Sequence, residues 1–348
     1  MKAALLPDRG VIKVIGDDAR KFLHGLVTAD VLGVAPGTAR YCALLTPQGK
    51  IIADFFLTEA PQAEGGGFFL DIPRALAATL VEKLNLHKLR AKILIEDLSE
   101  VLGVLAAWDG KGTTKQGLSY ADPRLPALGV RVMIPPHRAA AAASELGAAL
   151  VSAEEYEAHR IALGVPRGGL DFAYGDAFPH DADMDQLGGV DVVKGCYVGQ
   201  EVVSRIEHRG IARTRAVALR YDGARPESGA PITAGERQVG TMGSAARGRG
   251  IALIRLDRVA EAEQAALAAG GIPIRLIKPD WARFSFPGEI KAAERAIKLS
   301  TICPWPKQDC HSTAFVRARK QRQVRYIPWQ RKLALTANSE HAHAALDL

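Results

Sequence analysis

Cysteine is scarce in this sequence. Cys42, Cys196, Cys303 and Cys310 are spread over 348 residues, too few and too scattered to frame a disulfide-stapled fold. Long hydrophobic runs are missing too, since no stretch approaches the roughly 18 uninterrupted apolar residues of a membrane span. The first ten residues carry Pro7, Asp8 and Arg9 where a secretory leader would hold its apolar core. These absences predict a reducing, cytoplasmic location and no membrane partner. Acidic residues are also in deficit, giving a net charge of +7, but the deficit is local. From residue 289 to the end, 11 Lys/Arg face 5 Asp/Glu, whereas the first 288 residues hold 34 basic and 33 acidic side chains. A globally basic nucleic-acid face is excluded, and only the tail retains a basic patch.

Hydrophobic residues make up 48% of the chain and charged residues 24%, the balance of a soluble protein with a core large enough for two or three domains. Gly10 to Ile15 reads as a strand, and Asp17 precedes a short helix with Phe22, Leu23, Leu26 and Val27 on one face. A turn at Thr46 to Lys50 leads into the apolar strand Ile51 to Leu57. Gly65-Gly66-Gly67 then separates it from Phe68 to Ile72, predicting a hairpin. Asp71 and Pro73 open a helix with Leu76, Leu80 and Leu84 as its stripe. Lys92 to Asp97 is a further strand, Arg138 to Leu150 an alanine-rich helix, and Tyr156 to Leu163 another helix. Past Gly210, short strands at 214–219, 238–244 and 250–256 alternate with Gly-rich turns, with a helical insert at 259–269.

The expected organisation is an α+β region over residues 1–210, in two subdomains with a break near 100–135. A small C-terminal β-barrel over 211–285 follows, then a basic tail over 286–348. That tail, with Pro304-Trp305-Pro306 and the basic run Arg317 to Arg325, is either disordered or foreign to the fold. Cys303 and Cys310-His311 are too irregularly placed for a zinc site, and no metal is expected.

The most informative segment is Lys194-Gly195-Cys196-Tyr197-Val198-Gly199-Gln200-Glu201. Two glycines let the backbone turn tightly and approach a neighbour closely. Between them stands one thiol beside Lys194, with Arg205 and Arg209 further on. Nearby cations favour the thiolate, making Cys196 a candidate nucleophile, metal ligand or redox-sensitive group. Gln200 and Glu201 add an amide and a carboxylate suited to a heterocycle edge. A single cysteine is by itself more often a small buried hydrophobe, so the octapeptide gains weight only from its setting.

That setting is His159 to Pro166, Phe178-Pro179, and Met184 to Val190 upstream. In order along the chain there are also Lys21 to Asp30, Leu45 to Asp54, Leu89 to Ile93, and Val239-Gly240 with Ser244. Together these resemble the YgfZ-type folate-binding proteins, relatives of the glycine-cleavage T protein, over about four-fifths of the chain. The resemblance implies aminomethyltransferase-like folate-binding domains followed by a β-barrel, and tetrahydrofolate or a derivative as cofactor. It also implies a role in assembly or repair of iron–sulfur enzymes, some of which modify tRNA. Client or assembly proteins would be the partners. Cys196 then corresponds to the functional cysteine, and Lys194, Gly195, Tyr197, Gly199, Gln200 and Glu201 carry over as cofactor-binding positions.

Two departures weaken the likeness to an aminomethyl transferase. The T protein has two adjacent acids after its Gly-rich turn, where this chain has Ala53 and Asp54. The Glu that holds the pterin has no counterpart in the stretch 172–178, where only Asp171 and Asp176 lie near. Asp54 remains a catalytic candidate that would orient an amine, and Arg160 a candidate partner for a ligand carboxylate. The expectation is therefore a folate-binding accessory protein more than a classical enzyme. The alternatives are a folate-dependent one-carbon transferase and, from the tail, an RNA-binding adaptor using Tyr326 and Trp329.

Overall fold

The computed structural model describes residues 1–286, apart from 210–211, 263–264 and the side chains of residues 64 and 209. The basic tail and its two cysteines lie outside the described residues. In chain order the elements are β1 (Lys2–Leu6), β2 (Arg9–Ile15), α1 (Ala19–Leu26), β3 (Ala39–Leu45), β4 (Ile51–Glu59) and β5 (Phe68–Pro73). Then come α2 (Ala77–Lys88), β6 (Leu94–Asp97), β7 (Gly103–Trp108), β8 (Leu118–Ala121) and β9 (Val130–Ile134). These are followed by α3 (Ala139–Glu145), β10 (Ala149–Leu150), α4 (Ala153–Ala162) and α5 (Gln200–Arg209). The last group is β11 (Thr214–Tyr221), β12 (Pro231–Ala234), β13 (Arg237–Ala246), β14 (Arg249–Arg255), α6 (Leu256–Glu261), β15 (Leu267–Ala269) and β16 (Ile272–Ile277).

Three sheets result. One has the order β3-β4-β5-β2-β6, a second β10-β1-β7-β9-β8, and the third closes into a barrel, β11-β14-β13-β12-β15-β16. The two strands at the amino terminus part company at Pro7-Asp8: β1 pairs with β7, while β2 pairs with β5 and β6. Sequence periodicity located β2 but gave no sign of β1, whose run Ala3-Ala4-Leu5-Leu6 is short and apolar. Further departures are local. The helix α1 starts at Ala19, and Asp18 stands at its cap, its carboxylate accepting the Lys92 backbone N–H at 2.8 Å. The alanine-rich helix ends at Glu145, ahead of a tight turn. The insert expected to be helical at 259–269 becomes β15 at its end, because those residues close the barrel against β12 and β16.

Period-two alternation divides the side chains between layers. Along β4, Ala53, Phe55 and Leu57 face a core roofed by Leu23 and Leu26 of α1 and Leu80 and Leu84 of α2. Phe56 faces the other way, into a core shared with Trp108 of β7, Tyr120 of β8 and Met133 of β9. A third core, with Ala139, Ala142 and Ala143, lies under α3, and a fourth fills the barrel. The first two sheets thus enclose a common interior.

That interior holds charge. Asp71 on β5 is fully buried and accepts from Arg9 Nε of β2 at 2.6 Å, Arg131 Nε of β9 at 2.7 Å and the Tyr120 hydroxyl of β8 at 2.6 Å. It is no helix opener: α2 begins six residues later, and Asp71 joins the two sheets. Burial alone would raise its carboxyl pKa, but Arg131 and Arg9 outweigh burial and hold it below the usual carboxylate range. Behind it, Asp122 receives Arg124 through two bonds, at 3.0 and 2.7 Å.

Replacing Asp71 by Asn strips Arg9 of its carboxylate partner and leaves Arg131 only Asp122, at 3.5 Å. It is expected to cost about 3 kcal/mol of stability, read as a lower denaturation midpoint in urea. Because the folded-state pKa lies below the unfolded one, this stabilisation is complete above about pH 4 and lost as pH falls further. The acid limb of wild-type unfolding should flatten in Asp71→Asn.

Candidate functional site

The octapeptide forms a loop that ends in helix α5. Gly195 has φ +99° and Gly199 φ +83°, both in the left-handed region that favours glycine. They serve different ends. A Cβ on Gly195 would meet nothing within 4 Å, so Gly195 only turns the chain. A Cβ on Gly199 would stand 2.6 Å from the Thr46 carbonyl oxygen and 3.0 Å from Gly49 Cα. Gly199 therefore sets the loop down against the 46–50 turn, where Gly49 (φ +80°) makes matching room for Val202. The turn Thr46 to Lys50, read from sequence as a turn former, is the anvil for the thiol loop.

Cys196, between the glycines, is exposed; Cys42, the other cysteine among the described residues, is buried, and burial pushes its thiol pKa well up. Lys194 was expected to bias the thiol. Its ammonium donates to the carbonyls of His24 and, at 2.7 Å, Val27, capping the end of α1, lies over the Tyr197 ring and stays within electrostatic reach of the Cys196 thiol. Tyr197 is buried in the inter-sheet core, and burial pushes its hydroxyl up to about 12. Arg205 is committed to Glu201 at 2.7 Å, one helical turn away on the exposed face of α5. The Arg209 side chain lies outside the described residues.

A second feature lies between the two sheets: a cavity of about 270 Å³. Asp54 and Arg160 line it, but no residue of the octapeptide does. The expected union of thiol and pocket is thus replaced by two separate features. Lys194 to Glu201 are positioned to shape and anchor the thiol loop, with Gln200 and Glu201 opening α5, away from the cavity wall.

Within the cavity, Asp54 is buried and accepts from the Tyr41 hydroxyl at 2.9 Å and from the Tyr174 hydroxyl. Both phenols are pushed up by burial and by the Asp54 charge, so they stay protonated donors. Each Asp54 oxygen already holds a phenol, which leaves it poorly placed as an amine-orienting base. Arg160 is also spoken for. It pairs with Glu157 and Asp171 (2.8 Å) and donates to the Val165 carbonyl at 2.6 Å and the Ser244 hydroxyl at 2.9 Å. Ser244 lies on β13, so Arg160 straps α4 and the 165–171 loop to the barrel. It is a wall strut, and the carboxylate-clamp role read from sequence does not fit it.

Sequence reading missed the groups that dominate the cavity. The Phe56 ring lies under the guanidiniums of Arg131, Arg124 and Arg9, at 4.5, 4.7 and 5.4 Å from its centroid. Arg167 stands at the rim, paired with Asp8 at 3.2 Å and with Glu157. One signal was available: Arg131 interrupts the apolar strand Val130–Ile134, and a buried charge there demands a partner.

Comparisons with known proteins agree with this architecture. Residues 213–284 match the family described as "CAF17, C-terminal beta-barrel domain". The glycine cleavage system aminomethyltransferase T from Bartonella henselae superposes with a TM-score of 0.65 at 16% identity, covering 82% of this chain and 87% of that one. The chain therefore has the α+β aminomethyltransferase-like fold with a C-terminal β-barrel. It is also similar to proteins named "Iron-sulfur cluster assembly factor IBA57 homolog, mitochondrial". One from Mycosarcoma maydis is 37% identical over 235 residues, 63% of this chain and 57% of that protein. Another, from Coccidioides immitis, is 29% identical over 351 residues, 87% of this chain and 82% of that protein. The chain thus spans little more than half of the first relative. The word "mitochondrial" in these names overturns the cytoplasmic location expected from cysteine usage. A reducing interior was a fair inference from four scattered thiols, but it does not distinguish cytoplasm from organelle matrix.

The exposure difference between the two thiols is directly measurable. Brief iodoacetamide treatment of the native protein, followed by peptide mapping, should alkylate Cys196 and spare Cys42 until denaturant is added.

Proposed function

We propose that this chain is a YgfZ-type accessory factor for assembly or repair of iron–sulfur enzymes, binding a tetrahydrofolate-type ligand in its central cavity and working through Cys196. The observation that carries the reading is an exposed thiol on a glycine-framed loop, in a chain similar to proteins named as iron–sulfur cluster assembly factors. Exposure suits a group that must meet a partner protein or a cluster, and a thiolate is a natural ligand for iron. Iron–sulfur client or assembly proteins are then the partners, with tRNA-modifying enzymes among the clients.

The cavity fits a folate in donor chemistry. Tyr174 offers an aromatic ring to a flat heterocycle, Glu154 an acceptor to ring N–H groups, and Arg167 at the rim, paired to Asp8 and Glu157 through Nη1, keeps further N–H donors for a glutamyl carboxylate. Folate supplies a carrier for one-carbon units. The chain's own residues would bind and orient it. A one-carbon transferase is the second reading, and the phenol-capped Asp54 counts against it.

Two experiments separate thiol from pocket. In a strain lacking the gene, Cys196→Ala should fail to restore iron–sulfur enzyme activity; full restoration would remove the thiol from the mechanism. In solution, tetrahydrofolate should bind wild type and Cys196→Ala alike but Arg167→Ala about tenfold more weakly, a loss of roughly 1.4 kcal/mol. Equal affinity for all three would place the ligand elsewhere.

A further inference from the structure

The link between α2 and β6 belongs to neither the thiol loop nor the central cavity. It lies at the outer edge of the first sheet, where β6 is the last strand. Its base is firmly held. The Asp18 carboxylate accepts the Lys92 backbone N–H at 2.8 Å, and a Cβ on Gly16 would stand 2.1 Å from the Lys92 carbonyl oxygen. Ile93 is buried in the core beneath α2, and the Ala91 N–H donates to the Lys88 carbonyl at 2.8 Å. Beyond this base the turn presents two leucines to solvent: Leu89 is 90% exposed and Leu86 63%.

Leu89 is doubly out of place. Its φ is +44°, in the left-handed region where a helix commonly ends on glycine, and its exposed side chain gains no packing in return. Such a costly conformation, kept without a structural benefit, points to function. Leu86 lies two residues past the core residue Leu84, on the outward face of α2, and three before Leu89, so the two leucines are neighbours. The charge around them is one-sided. Residues 83–95 include Lys83, Lys88, Arg90 and Lys92 and no Asp or Glu, although the first 288 residues are nearly balanced. Lys83 pairs with Glu82 at 3.7 Å. The side chains of Lys88, Arg90 and Lys92 make no ion pair among the described residues.

We propose that the 86–92 turn is a docking foot for the surface of an anionic lipid bilayer. Leu89 and Leu86 enter the acyl boundary, while Lys88, Arg90 and Lys92 reach lipid phosphates over their long apolar stems. Surface contact needs no spanning segment, and no helix among the described residues is long and apolar enough to cross a membrane. Two other occupants fit less well. A second copy would set like charges against each other across a twofold contact. A folded protein partner needs about 800 Å² of matched surface on each side, whereas a projecting turn offers an apex. A fluid bilayer demands no such match.

Flotation of the full chain with vesicles tests the foot, using phosphatidylcholine alone or mixed with phosphatidylglycerol. Binding to the anionic vesicles and not to the neutral ones is expected, weakening as salt rises. Leu89→Gly should weaken it about tenfold, the effect of withdrawing one leucine side chain from apolar surroundings. Its denaturation midpoint in urea should not fall, because the backbone there suits glycine. Hydrogen exchange locates the contact whatever the basic tail contributes: the amides of residues 86–92 should slow when anionic vesicles are added. Unchanged exchange in that turn, or vesicle binding by Leu89→Gly equal to wild type, overturns the foot. Binding lost on reversing the three charges (Lys88→Glu, Arg90→Glu, Lys92→Glu) but indifferent to Leu89→Gly marks a plain anion-seeking surface, such as an acidic protein would use, and overturns the bilayer assignment too.

Discussion

The two sheets of the amino-terminal region meet around a buried carboxylate, and most of what the molecule presents depends on that junction. Asp71 draws Arg9, Arg131 and the Tyr120 hydroxyl to one point between β5, β2, β9 and β8. Buried charge is costly unless fully paired, and here the pairing is complete enough to depress the carboxyl pKa despite full burial. The same guanidiniums then lie over Phe56 and line the cavity. The network thus gives the interior a wall that is both polar and rigid, something an apolar inter-sheet core does not provide.

The division between thiol and cavity follows from the chain's route. Tyr174 lines the cavity and reaches Asp54, whereas the 194–199 loop exposes Cys196 beside the 46–50 turn. Each feature is held by backbone approach or buried pairing, and neither borrows residues from the other. Under the proposed function, such separation lets a cofactor be engaged without displacing a protein partner.

How much was legible beforehand varies with the kind of interaction. The α+β class and the C-terminal barrel were readable, because hydrophobic period and Gly-rich turns are local signals. The octapeptide was readable as a motif, and its Cys196 is exposed in the structure. What failed were roles assigned by proximity in sequence. Arg160, read as a candidate partner for a ligand carboxylate, is a strut reaching Ser244. Asp71, read as a helix opener, became the central node through partners on three other strands. Long-range pairing between charged side chains leaves no periodic trace, and that is where sequence reading ran out.

The parting of β1 and β2 also bears on how the chain reaches this state as it is synthesised. Lys2 pairs with Trp108 on β7 and with Ala149 on β10, so the first strand emerges more than a hundred residues before its partners. Its neighbour β2 closes with β5 and β6 far sooner. During translation the leading segment remains an unpaired strand tethered to a nascent sheet, and the second sheet can close only once residues near 150 have left the ribosome. Such late, non-local closure folds slowly and leaves an exposed strand for longer.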